Sequence, residues 1–139
     1  MANIGYDLVG IRTDDLTGKT MKFPYQTGGN LATVTGEALL INGSNYQVTT
    51  GKTFYITGLL FFSGSNPNNN IQLTYADDAA QTTNKVVIFQ VPPTVANTAY
   101  PVIIPVPASI TVPAQKYPGL YNSSGGTLNP GIIVIGYEA

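Results

Sequence analysis

The chain contains no cysteine, no histidine and no tryptophan. Without cysteine it has neither a disulfide framework nor a thiolate metal site. Without histidine, general acid–base chemistry near neutral pH loses its commonest agent, and the usual Ser–His and Cys–His nucleophile pairs cannot be built. Without tryptophan, a sugar-gripping cleft lacks its best ring. Charge is scarce too: 9% of residues are charged, against about 25% in an ordinary soluble protein. The net charge is −1. So little charge invites association. The surface is therefore expected to be hydrated by Asn, Thr, Ser and Gly, or buried in subunit contacts, with contacts the larger share. No window carries apolar residues at helical spacing without a Gly or Pro breaking it, which predicts little helix. The opening residues show neither a basic nor an apolar leader region, so no signal peptide is expected. The most apolar stretch, residues 100–114, holds four prolines and is shorter than the ~20 residues of a membrane span.

What is present points to β structure. The 139 residues suffice for one domain with a real core. Fifteen Gly, ten Pro and nine Tyr, with abundant Thr, Val and Ile, suit short strands joined by tight turns. From Glu37 onward strand signals recur with punctuation between them. Strands are expected at 38–41, 46–50, 53–62, 71–75, 85–91, 102–106, 109–112, 117–121 and 132–137. Asn42-Gly43 is a strong hairpin dipeptide, and the run from Ser63 to Asn70 reads as a surface loop. The spacing predicts an all-β chain: a single jelly-roll-like antiparallel β-sandwich of about eight short strands over residues 36–139. Residues 1–35 read differently, with charges clustered from Arg12 to Lys19 and an aromatic–proline cluster, Phe23-Pro24-Tyr25. They form either a first hairpin of the same domain or an extended arm that docks on a neighbouring subunit.

Two strands carry apolar groups on both faces. In the longest, Phe54, Ile56, Leu60 and Phe62 are expected to point one way and Tyr55, Leu59 and Phe61 the other. In the last, Ile133 and Ile135 oppose Ile132 and Val134. A sandwich strand normally leaves one face polar. Something must cover these outer faces, either the N-terminal segment or a partner. Phe23, Pro24, Tyr25, Tyr55, Leu59 and Phe61 are therefore the candidate interface residues, and a homotrimer is expected.

The remaining chemistry is thin. The acids are Asp7, Asp14, Asp15, Glu37, Asp77, Asp78 and Glu138. Asp77-Asp78 beside the Asn-rich loop invites comparison with a hard-cation site, but adjacent carboxylates on an extended chain point to opposite sides, which favours a solvated strand end. Thr-Gly-Lys-Thr occurs at 17–20 and 50–53, yet the Gly that a phosphate loop requires five residues earlier is replaced by Thr13 and Tyr46. Both copies read as turns. Arg12, Lys19, Lys22, Lys52, Lys85 and Lys116 are scattered, whereas a nucleic-acid surface needs them clustered. No catalytic residue, metal or cofactor is expected, and no nucleic-acid or membrane partner.

From about Gly51 the chain resembles the jelly-roll domain of tailed-phage structural proteins. The matching residues are Gly51-Lys52-Thr53-Phe54-Tyr55-Ile56-Thr57-Gly58, Pro105-Val106-Pro107-Ala108, Tyr117-Pro118-Gly119 and Val134-Ile135-Gly136-Tyr137-Glu138. The resemblance implies a virion role, commonly as a trimeric capsid decoration (cement) protein bound to the major capsid protein or other virion subunits. A fibre or receptor-binding module is the alternative, with the 66–70 and 123–126 loops as tips that recognise a host glycan or protein. The resemblance transfers no catalytic residue.

Overall fold

The computed structural model describes residues 18–66, 70–103 and 110–139. The strand alternation at 4–9, the acids Asp7, Asp14 and Asp15, and Pro105-Val106-Pro107-Ala108 lie outside the described residues. Within them are twelve strands and no helix: β1 (Thr20–Lys22), β2 (Tyr25–Thr27), β3 (Thr35–Ala38), β4 (Leu40–Ile41), β5 (Ser44–Asn45), β6 (Phe54–Ser63), β7 (Ile71–Ala76), β8 (Val86–Gln90), β9 (Ala99–Ile103), β10 (Ile110–Val112), β11 (Tyr117–Asn122) and β12 (Pro130–Glu138). They form two antiparallel sheets packed as a sandwich. The larger runs β10-β6-β12-β2-β4-β5, with β9 also on β6 and β1 also on β12; the smaller runs β3-β11-β7-β8.

Local chemistry explains many of the boundaries. Asn42 and Gly43 both take positive φ, 51° and 76°, and close the two-residue hairpin between β4 and β5. Pro92-Pro93 follows β8, where proline supplies no backbone donor to continue the ladder. Pro101 lies in β9, an edge strand paired with β6 alone among the described residues. Residues 46–50, expected as a strand, follow an irregular path instead. Tyr46 donates its backbone N–H to the Leu39 carbonyl and Val48 donates to that of Lys116, while both side chains turn into the core.

The core lies between the sheets. Phe54, Ile56, Leu59 and Phe61 of β6 and Ile132 and Val134 of β12 meet Ile71 and Leu73 of β7 and Leu120 of β11. Burial of each contributes about 1.5–3 kcal/mol. Phe61 stacks on Phe89 of β8 across the sandwich, with ring centroids 5.7 Å apart.

This arrangement corrects the expected facing of β6. Ile135 pairs with Gly58 but Gly136 pairs with Ile56, so Thr57 is an extra residue in the strand. That bulge exchanges the two faces. Before it the even-numbered Phe54 and Ile56 point inward; after it the odd-numbered Leu59 and Phe61 do, and Leu60 and Phe62 turn outward. Leu59 and Phe61, expected on an interface, are core residues.

The described part of the N-terminal segment is a strand of the larger sheet. β1 and β2 lie end to end along β12, from Thr20 opposite Glu138 to Thr27 opposite Gly131. The interruption between them falls at Phe23-Pro24, where the Val134 N–H donates to the Pro24 carbonyl at 2.8 Å. The pairing partner of β1 and β2 sits at the far end of the sequence, where local texture does not register it.

Candidate functional site

Residues directly opposite in a ladder share a face, so the registers define the outer surface of the larger sheet. One row crosses five strands: Pro101, Leu60, Ile133, Tyr25 and Leu40. Flanking rows are Ala99, Phe62, Gly131 and Thr27 on one side and Ile103, Gly58 and Ile135 on the other. None of these residues is charged. Ile133 is 40% exposed and Ile103 67%. The Phe62 ring lies across Gly131, and a Cβ there would displace that ring.

The face is closed at one corner. Beyond the bulge, Tyr55 stacks on Tyr137 with ring centroids 5.0 Å apart. Met21 and Ile135 pack on the pair, and the Lys19 ammonium sits 4.8 Å above the Tyr137 ring. Tyr137 is buried as a result. Of the expected interface residues, Tyr25 and Tyr55 are thus half-buried on this surface, Pro24 is buried, and Phe23 projects at the sheet edge, 55% exposed.

The smaller sheet covers part of its own outer face, while Val87 of β8, opposite Thr74, stays exposed. The loop after β7 folds back and buries Gln81 completely over Gly36 and Gly119. There the Gln81 amide donates to the Tyr117 carbonyl at 3.0 Å and its Oε1 accepts from the Thr74 hydroxyl at 2.8 Å. Asp77 and Asp78 build this loop. Asp78 accepts from the Thr82 and Thr83 N–H groups at 3.0 and 2.7 Å. Asp77 pairs with Lys116 and accepts from Asn84 at 2.6 Å. The bond from Lys116, then that from Asn84, holds the Asp77 carboxyl below its usual range, and the Thr83 N–H does most to lower Asp78. Among the described residues no cluster of three acids is placed to hold a metal.

One acid is buried at the end of β12. Glu138 is buried and accepts from the Tyr46 hydroxyl at 2.7 Å and the Thr49 N–H at 3.1 Å. Burial pushes its carboxyl up, but these bonds and the charge of Lys22 outweigh that and leave it below its ordinary value. The same burial and hydrogen bond push the Tyr46 phenol up.

The Asn-rich loops converge at the end of the sandwich opposite the Tyr55–Tyr137 corner. Ser123 donates its N–H and hydroxyl to the Asn70 carbonyl at 3.1 and 2.8 Å. The Asn66 amide donates to the Thr127 carbonyl at 3.1 Å, and Asn129 bridges Ser65 and Asn30. Asn122, buried beneath them, donates to the carbonyls of Leu31 and Gly126. Sequence reading marked the loops at 66–70 and 123–126 but not that Asn66 and Asn70 meet Thr127 and Ser123, which depends on strand order. It also missed Leu60 and Phe62 as outward residues, since a single-residue bulge leaves no periodic signature.

No family model, curated protein or solved structure matches this chain.

Proposed function

We propose that the chain is a non-catalytic structural subunit of a symmetric assembly, working as a virion decoration (cement) protein that bridges neighbouring capsid subunits. The observation that carries this reading is the uncharged apolar row Pro101–Leu60–Ile133–Tyr25–Leu40 on the outer face of the larger sheet. Contiguous apolar surface of this kind marks an interaction site. On the opposite outer face Gln81 covers Gly36 and Gly119, which supports the larger sheet as the binding side. Self-association through this face builds the homotrimer, and the assembled subunit presents its remaining surface to capsid subunits. The acids agree with a structural role. Asp77 and Asp78 shape a loop and Glu138 fastens Tyr46, so each is engaged in holding the fold.

A fibre or receptor-binding module is the second reading, favoured by the convergence of uncharged Asn and Ser side chains from two loops at one tip. Counting the chain in purified particles separates the two. Hundreds of copies per particle is the expected result, a handful selects the fibre, and absence from particles overturns both.

A further inference from the structure

The sheets of an open sandwich end in strands whose outer backbone groups lack a partner, and such edges pair with other chains unless something blocks them. Among the described residues most edges are blocked. β9 carries Pro101, which has no N–H to offer. β10 has three residues and runs into Pro113, and β5 has only two. β1 is three residues long and ends on Lys22. β3 holds Glu37 opposite the core residue Leu120, so its carboxyl points inward, a charge of the kind that resists an added strand.

β8 is the exception. Among the described residues it pairs with β7 alone, as the last strand of the smaller sheet. Its five residues, Val86-Val87-Ile88-Phe89-Gln90, include no charge and no proline. Val86 is 41% exposed and Val87 45%. The preceding residue, Lys85, is the cation placed to guard this edge, yet its ammonium lies 2.9 Å from the centre of the Tyr121 ring. Tyr121 belongs to β11, on the far side of β7. Lys85 is therefore drawn back across the sheet, away from the edge. We propose that β8 pairs edge to edge with β8 of a second copy of this chain, antiparallel across a two-fold axis, so that the two smaller sheets become one.

The occupant follows from the same strands. The open groups of an edge call for an extended backbone. With the other edges blocked, β8 of another copy is the strand that can supply it, and a two-fold pairing of like with like closes on itself. An uncharged strand also meets its copy without like charges opposed. A bulge keeps the contact short. Leu73 pairs with Phe89 but Thr74 pairs with Val87, so Ile88 is an extra residue that bends the strand. So short a pairing is weak in dilute solution, with a dissociation constant on the order of millimolar. It gains strength where subunits already stand side by side, because neighbours held together meet at an effective concentration of about that size. In the proposed assembly the β8 pair links one trimer to the next; that step rests on the assembly reading, whereas the pairing itself does not.

The chain lacks cysteine, so Val87→Cys places a single thiol on the edge. Treated with a short bis-maleimide at roughly 1 mM protein, this full-length variant should give roughly fivefold more two-chain product than Ser44→Cys, whose thiol sits on exposed β5. Adding Val86→Lys should return the yield to that of Ser44→Cys, with cooperative unfolding retained. The product should persist in Val87→Cys/Ile133→Lys, because the larger sheet's face takes no part in it. Equal yields from Val87→Cys and Ser44→Cys, or a yield indifferent to Val86→Lys, would overturn the pairing. Loss of the product on adding Ile133→Lys would overturn it too, since the thiols would then meet only through the larger sheet's face. If Ile133→Lys leaves the solution mass unchanged while the Val87→Cys product forms, the assembly face is wrong and the β8 pairing stands.

Discussion

At the scale of single residues, buried polar groups give the most direct consequences. Glu138 is buried near the end of β12 and is held ionised by Tyr46 and Thr49. Tyr46→Phe removes a bond to a charged acceptor and should destabilise the protein by about 1.5–3 kcal/mol at neutral pH, read by urea unfolding. The pH dependence follows from the sign of the shift. A carboxyl lowered in the folded state contributes stability that is present above its unfolded value, near 4.5, and is lost as pH falls through the folded value. Tyr46→Phe should therefore flatten the acid limb of the stability profile, and an unchanged limb would mean that Glu138 is not held by this bond. Gln81 offers a second test. Its amide satisfies the Thr74 hydroxyl and the Tyr117 carbonyl over two glycines that leave no room for a Cβ. Gln81→Ala should destabilise by roughly 1–3 kcal/mol; a neutral result would show that water replaces the side chain freely.

Among the elements, β6 carries the sharpest contrast. The bulge at Thr57 is fixed by a hydrogen bond from its hydroxyl to the Ile135 carbonyl at 3.1 Å, and it places Leu59 in the core and Leu60 outside. Leu59→Ala should cost about 2–5 kcal/mol, whereas Leu60→Ala should cost no more than about 1.5 kcal/mol in the free subunit. Equal costs, or the reverse order, would contradict the register. The same strand shows where sequence reading succeeds and where it stops. Ile71, Leu73 and Tyr75 alternate cleanly and form β7 as expected, with Asn42-Gly43 closing a hairpin. Ile132 and Val134 face inward with Ile133 outward, as the two-sided pattern of the last strand requires. The long run of apolar residues in β6 has no such internal reference, because its period-2 phase is reset by one residue and only the partner strand reveals where. The pairing of β1 and β2 with β12 joins opposite ends of the sequence and leaves no local trace.

For the molecule as a whole, the scarcity of charge and the two-sided strands have one structural expression, a sandwich whose larger sheet leaves its outer face open among the described residues. The smaller sheet is partly covered by Gln81 and the turn built by Asp78; the open face presents Ile133 and Ile103 beside Leu60. Placing a cation in the middle of the open face should oppose self-association while leaving the core intact. The most direct measurement is the solution mass of the full chain and of Ile133→Lys, by size exclusion with light scattering from micromolar to several hundred micromolar. We expect the full chain to approach three times its 14.7 kDa as concentration rises, and Ile133→Lys to remain a monomer that unfolds with unchanged cooperativity. A full chain that stays monomeric throughout, or an Ile133→Lys oligomer identical to it, would contradict assembly through this face.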